Sequence, residues 1–89
     1  MAYKLIHRVY TEDKNKREIL RLVAKRFQSF TLQPTLGYYR GKPERSIVIE
    51  IVGAAQREVN AVARFIGAMN GQKSVLVLTL HGRAKTTRM

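Results

Sequence analysis

Hydrophobic residues recur along this chain with two different periods, and the changes of period predict its first elements. Residues 3–10 are rich in β-branched and aromatic side chains, which is typical of a strand. From residue 15 to residue 30 the spacing changes to steps of three and four, which predicts a helix with Asn15 and Glu18 as a capping pair. The apolar stripe of this helix consists of Ile19, Leu20, Val23, Phe27 and Phe30.

The next two apolar segments predict a hairpin of strands over residues 31–40 and 46–52. Pro34 cannot donate a ladder hydrogen bond, so we expect the first of these strands at a sheet edge. The second strand carries three isoleucines at alternate positions, Ile47, Ile49 and Ile51. They define one apolar face.

A second helix and a last strand complete the pattern. Residues 55–70 again space apolar side chains by three and four, and Asn70 followed by Gly71 is typical of a left-handed helix end. Residues 74–80 alternate in the manner of a strand. The order strand, helix, strand, strand, helix, strand predicts an α+β fold, the ferredoxin-like βαββαβ two-layer sandwich. Its antiparallel sheet would have strands one and three in the centre and two helices on one face.

We expect one domain over residues 1–80, because separate cores below roughly 40 residues rarely stand alone. Residues 81–89 hold almost no apolar side chains and predict a basic, flexible tail. With 45% hydrophobic residues the chain can form a packed core. The absence of cysteine from the sequence excludes disulfides, thiolate metal sites and thiol nucleophiles.

The face of the sheet away from the helices is expected to be apolar. If Leu76, Leu78 and Leu80 face the helices, period two places further apolar side chains on the opposite, open face. Such a face predicts self-association through the sheet. The expected interface residues are Ile6, Tyr10, Val48, Val52, Val75 and Val77. The alternative is an RNA-binding platform of exposed aromatics, for which only Tyr10 is suitably placed.

Charge changes the picture most, because 17 Lys and Arg oppose 6 Asp and Glu and leave a net charge of +11. Such an excess predicts an anionic partner, which could be a nucleic acid, a nucleotide or an acidic protein surface. Three groups of residues are candidates for phosphate binding. They are a stripe on the first helix (Lys14, Arg17, Arg21 and Lys25), the hairpin (Tyr39, Arg40, Lys42 and Arg45) and the tail (Arg83, Lys85 and Arg88).

Each of these groups has a simpler interpretation. The helix stripe could be an ordinary solvated face, and the tail could reach a neighbouring subunit instead of a polyanion. The hairpin could be a plain connection with Tyr38 packed into the core.

Signatures of catalysis are missing from the sequence. It contains no glycine-rich phosphate loop and no pair of histidines at metal-ligand spacing, so we expect neither a cofactor nor a metal. His7 is expected to be a satisfied core or interface histidine, and His81 has no obvious carboxylate partner. A ribonuclease that uses either histidine with Arg or Lys remains an alternative, because such sites are assembled in space from distant residues.

Two segments resemble small, mostly uncharacterised α/β-sandwich domains of phages and bacteria. They are residues 37–50, with Gly37-Tyr38-Tyr39-Arg40-Gly41 and then Glu44 and Ser46, and the run Asn70-Gly71-Gln72-Lys73-Ser74-Val75-Leu76-Val77. The resemblance covers about half of the chain. It implies the fold and a phage source, and it brings no site residues with it.

The sequence therefore predicts a small, basic, non-enzymatic protein that is oligomeric through its sheet and binds nucleic acid or an anionic nucleotide. The alternative is a phage counter-defence inhibitor that docks on an acidic host complex or sequesters a signalling nucleotide. The chain starts without the apolar stretch of a signal peptide, and no apolar run approaches the roughly 18 residues of a membrane span. We expect a cytoplasmic location, the host cytoplasm if a phage encodes the chain, and no membrane partner.

Overall fold

A computed structural model describes residues 2–84 of the chain. The elements follow the predicted order: β1 (Ala2–Glu12), α1 (Lys16–Arg26), β2 (Thr31–Tyr39), β3 (Lys42–Val52), α2 (Gln56–Asn70) and β4 (Leu76–Ala84). All strand pairs are antiparallel, and the sheet has the order β2-β3-β1-β4. The prediction of a ferredoxin-like sandwich with central strands β1 and β3 is confirmed, and β2 lies at an edge as Pro34 requires.

The core lies between the sheet and the two helices. The isoleucines of β3 are fully or almost fully buried there, and they meet Ile19 and Val23 of α1 and the apolar stripe of α2. Each side chain of this size stabilises the fold by about 1.5–3 kcal/mol when buried. The buried apolar side chains of α2 are those of Val59, Val62, Ala63 and Ile66.

His7 is a fully buried polar side chain whose hydrogen bonds are all made. Its Nε2 lies 2.8 Å from the carbonyl oxygen of Ala54, and its Nδ1 lies 3.0 Å from the hydroxyl of Thr79. Because a carbonyl can only accept, Nε2 donates to Ala54, while the hydroxyl of Thr79 can donate to or accept from Nδ1. The expectation of a satisfied core histidine is confirmed.

The predicted capping pair at the start of α1 is wrong. Asn15 has a left-handed backbone (φ 54°), and its side chain makes no capping hydrogen bond. Its Nδ2 instead donates to Oδ1 of Asn70 at 2.9 Å and to the carbonyl of Met69 at 3.3 Å, so the amide joins the start of α1 to the end of α2.

The first helix is also shorter than predicted, because it ends at Arg26. Phe27 has an extended backbone (φ −128°, ψ 132°) and is buried, while Phe30 packs against the core from the following segment. Both aromatic rings pack in or against the core, although neither residue belongs to the helix. Helical spacing alone could not show that the helix ends before them.

The phase of β4 is the opposite of the predicted one. Val77 pairs with Val9 and Thr79 pairs with His7, which places both on the helix side, where Val75 and Val77 pack against the core. The prediction that Val75 and Val77 lie at the oligomer interface is therefore wrong. The open face instead presents the exposed leucines Leu76, Leu78 and Leu80.

The last strand runs past its predicted end at Leu80. Residues 81–84 pair with residues 2–5 of β1, so they belong to the sheet and not to a tail. Arg83 lies in this strand, while Lys85 and Arg88 lie outside the described residues. Neither helix in the described part of the chain is long and apolar enough to cross a membrane.

Candidate functional site

The open face of the sheet is mostly apolar along β1, β3 and β4. Cross-strand pairing sets Ile6 beside Val52 and Leu80 in one row and Tyr10 beside Val48 and Leu76 in another. The predicted interface residues Ile6, Tyr10, Val48 and Val52 do share this face, and the three leucines of β4 extend it. An apolar surface of this extent is typical of a face that another molecule covers.

An ion pair stands in the middle of the open face. Nε of Arg8 donates to Oε2 of Glu50 at 2.8 Å, and this hydrogen bond together with the carboxylate charge raises the pKa of Arg8. Since both side chains are part-exposed, the pair adds little to stability. The pair matters for the charge of this face. Lys4 and Glu12 lie at opposite ends of β1. Together with Arg8 and Glu50 they make two cations and two carboxylates, so the strip along β1 has no net charge.

A groove of about 340 Å³ runs between α2 and the edge strand β4. Its apolar part is formed by Ala63, Ala68, Val75 and Val77, and its cations are Arg64 and Lys73. Among the described residues, no carboxylate lines the groove. Asn60, Gln72 and Ser74 add amide and hydroxyl groups that can donate and accept hydrogen bonds. A volume of about 300–1,000 Å³ is typical of small-molecule sites, and this groove combines such a volume with both apolar and polar lining residues.

The end of α2 shapes this groove. Gly71 is left-handed (φ 68°), and the backbone N–H groups of Gly71 and Gln72 return to the carbonyls of Ala68 (3.3 Å) and Gly67 (2.8 Å). A Cβ on Gly67 would lie 3.1 Å from Cγ2 of Val75, so glycine at this position lets the helix approach β4 closely. The predicted helix end at Asn70 and Gly71 is confirmed.

A chain of side-chain hydrogen bonds ties the loop after α2 to the end of β1. Nδ2 of Asn70 donates to the hydroxyl of Thr11 at 3.0 Å, and that hydroxyl donates to Oε1 of Gln72. Asn15 extends the chain through its hydrogen bond to Asn70. Linked hydrogen bonds of this kind hold a loop in one conformation. Here they fix the loop backbone next to Gln72, which positions Lys73.

The predicted helix stripe is only partly assembled. Arg17, Arg21 and Lys25 are exposed on α1, but Lys14 precedes the helix and its Nζ lies 2.9 Å from Oε2 of Glu12. This ion pair offsets the charge of Lys14 locally. The stripe therefore consists of three cations along one helix.

The predicted hairpin site lies on a two-stranded arm. Because β3 pairs with β1 only from Ser46 onwards, residues 36–45 project beyond the centre of the sheet. At the tip Arg40 and Gly41 both have positive φ (52° and 77°), as a type I′ turn requires, and Lys42 follows them. The guanidinium of Arg40 lies 5.3 Å from the ring centre of Tyr39.

The surroundings of two hairpin residues, Tyr38 and Arg45, test the expectations for this segment. Tyr38 is 69% exposed, so the expectation that it packs into the core is wrong. Arg45 does come together with Lys14, but in a concavity that Glu12, Asp13 and Glu44 also line. Three carboxylates against two cations do not favour phosphate at this place.

Sequence reasoning missed the groove. Its cations, Arg64 and Lys73, stand singly in the sequence, and the turn after α2 brings them to one groove. One signal was present: Lys73 lies in the run from Asn70 to Val77 that carries part of the resemblance to phage and bacterial domains. A second signal is that Asn60, Arg64 and Gly67 share one flank of the second helix at steps of four and three.

Solved structures of low sequence identity share this fold. A DUF3240 family protein from Shewanella baltica gives a TM-score of 0.71 at 13% identity, with 100% of both chains covered. GlnK of B. subtilis, in a complex with ATP, gives 0.67 at 15%, covering 89% of this chain and 81% of that one. A phage SAM lyase in complex with S-methyl-5'-thioadenosine gives 0.54 at 16%, covering 96% of this chain and 93% of that one.

These likenesses confirm the resemblance for the fold and show no more than the fold. No protein-family model and no curated protein matches the chain. Among residues 2–84, no three His, Cys, Asp or Glu side chains are grouped so that they could hold a metal ion.

The hydrogen-bonded loop gives a stability prediction. Asn70→Asp removes the Nδ2 donor and sets a carboxylate near Oε1 of Gln72 and the carbonyl of Glu12, so we expect a loss of about 1–3 kcal/mol in the free energy of unfolding. Denaturant unfolding measures it. The matched control is Asn60→Asp, which keeps the acceptor for Gln56 Nε2 and should change stability by less than about 0.5 kcal/mol. Equal effects of the two changes would contradict the account.

Proposed function

We propose that this protein is a self-associating binding protein whose ligand is an anionic nucleotide, held in the groove between α2 and β4. The observation that carries the proposal is the groove itself, which combines Arg64 and Lys73 with an apolar wall and lacks any carboxylate. Its volume fits one small molecule. The complexes of GlnK with ATP and of the phage SAM lyase with S-methyl-5'-thioadenosine support an adenine-containing ligand on this fold.

Each part of a nucleotide has a chemical counterpart in the groove. Ammonium and guanidinium groups pair with phosphate oxygens, and the planar guanidinium of Arg64 can do so through two hydrogen bonds at once. Val75 and Val77 offer apolar surface to a base, and the amides of Asn60 and Gln72 can bond its polar edge. The lining holds neither a carboxylate nor a histidine, which favours binding without catalysis.

A single nucleotide fits the described surfaces better than a nucleic acid polymer. The cations of α1, of the hairpin arm and of the groove lie on different elements, and those of the groove are combined with an apolar wall and amide groups. The open face, which could have been a base-stacking platform, offers Tyr10 alone among aromatic residues on β1 and β3. Nucleic acid binding stays the second outcome of the test below.

Self-association through the open face is the other half of the proposal. A net charge of +11 makes most approaches between two copies repulsive. The strip along β1 has no net charge and the leucines of β4 are apolar, so contact through this face avoids the charge repulsion. Covering this face would bury Ile6, Val52 and Leu80 together in each copy.

Lys73→Ala tests the ligand site. Loss of a charged hydrogen bond to phosphate, about 1.5–3 kcal/mol, should weaken ATP binding about tenfold or more in calorimetry. The control is Lys25→Ala on α1, which should leave ATP affinity unchanged while removing the same charge. If the two variants lose affinity equally, the groove is not the site.

The same titrations with salt separate the ligand classes. A polymer that contacts six or more phosphates should lose about a thousandfold or more in affinity between roughly 50 mM and 200 mM salt. A nucleotide in one groove has only a few charges to neutralise, so we expect a much smaller loss.

Leu80→Glu tests the oligomer. Leu80 is 44% exposed in the single chain, and a carboxylate on the covered face beside Ile6 should shift the assembly to monomer in sedimentation velocity at micromolar concentration. Leu20 on α1 is 47% exposed, so Leu20→Glu is a matched control and should assemble like the wild type. A wild type that is monomeric under these conditions, or a Leu80→Glu variant that assembles normally, would contradict self-association through this face.

A further inference from the structure

The outer surface of α2 carries an apolar concavity that adjoins the groove, with which it shares Arg64 and Ala68, and that lies away from the open face of the sheet. It is about 350 Å³ in volume and is lined by Ala61, Arg64, Phe65 and Ala68. Phe65 is 53% exposed, and Met69 lies one turn further along the helix and is also exposed. The buried stripe of α2 points at the sheet, so the concavity makes no contribution to the core.

Two arginines flank this apolar concavity, and further cations lie on the same two helices. The guanidinium of Arg26, at the end of α1, lies 5.8 Å from the ring centre of Phe65, and Arg64 lines the concavity itself. The two helices together hold seven cations and two carboxylates, Glu18 and Glu58. The cations are Lys16, Arg17, Arg21, Lys25, Arg26, Arg57 and Arg64.

We propose that this surface docks an acidic protein segment that inserts an apolar side chain beside Phe65. Exposed aromatic rings and arginines are the residue types that dominate binding energy in protein interfaces. The apolar concavity gives the anchor, and the surrounding cations select acidic neighbours and speed the encounter. The proposal does not rest on nucleotide binding.

The charges favour this occupant over three others. A second copy would bring the same seven cations against its own image, which repels. A phosphate backbone could pair with Arg64, but it makes no use of the apolar surface of Ala61, Phe65 and Ala68 that forms the rest of the lining. A membrane surface favours a helix whose whole apolar face is free to enter it, whereas the apolar face of α2 is buried in the core.

The test uses the full chain and a fluorescent synthetic peptide, an amphipathic helix with a leucine stripe flanked by glutamates. We expect saturable binding in fluorescence anisotropy, at least about tenfold weaker binding of a scrambled peptide with the same composition, and a similar loss when every glutamate is replaced by glutamine. Equal binding of the amphipathic peptide and its scrambled form, or no saturable binding of the amphipathic peptide, would overturn the proposal.

Variants locate the surface. Phe65→Ser should weaken peptide binding about tenfold, whereas Leu36→Ser, on the hairpin arm and 56% exposed, should leave it unchanged. Arg64 is avoided because it also lines the nucleotide groove. If Phe65→Ser fails to fold, the pair Ala61→Glu and Ala61→Lys decides, since only the glutamate should repel an acidic peptide.

Two alternative outcomes reject the proposal in favour of another partner. Binding of phosphatidylserine vesicles that Phe65→Ser abolishes, without peptide binding, would assign the surface to a membrane. Peptide binding that Phe65→Ser and both Ala61 variants leave unchanged would place the acidic contact elsewhere.

Discussion

Two helices can cover only one face of a four-stranded sheet, and this constraint organises the whole molecule. The helix side takes the isoleucines of β3 and the buried His7 of β1. The other side of the same strands must then face outward with whatever period two assigns to it. On β3 and β1 that side is Val48, Val52, Ile6 and Tyr10, and no element of the described chain covers them.

Charge is distributed so that this uncovered face stays neutral while the rest of the protein is basic. The Arg8–Glu50 ion pair adds little to the stability of a single chain, but it keeps an unopposed cation out of the middle of the sheet. The hydrogen bond and the charge of Glu50 raise the pKa of Arg8, so its guanidinium stays charged near neutral pH. The groove and the helix surface retain the cations, so the proposed binding of anions and the proposed contact between copies use different surfaces.

Local signals predicted the order of the elements, their central and edge strands, the helix end at Gly71 and the role of His7. They could not predict the phase of β4, because Leu76, Leu78 and Leu80 are as apolar as Val75 and Val77. The register with β1 sets which side chains of β4 face the helices. In this register Thr79 lies beside His7 and forms a hydrogen bond with it.

The candidate site was harder to predict than the fold. The predicted sites follow the densest clusters of Lys and Arg, whereas the groove combines two single cations, Arg64 of α2 and Lys73 of the following loop. The loop takes its conformation from Thr11 at the far end of β1 through Asn70 and Gln72. Tertiary hydrogen bonds of this kind leave no periodic trace in a sequence.

Native mass spectrometry of the purified protein with ATP tests the central claim most directly, because one spectrum reports the number of subunits and the number of bound nucleotides. The account predicts a multimer that takes up nucleotide to a limit of one per subunit, since each chain contributes one groove. A monomer that binds no nucleotide at ligand concentrations well above the protein concentration would contradict it.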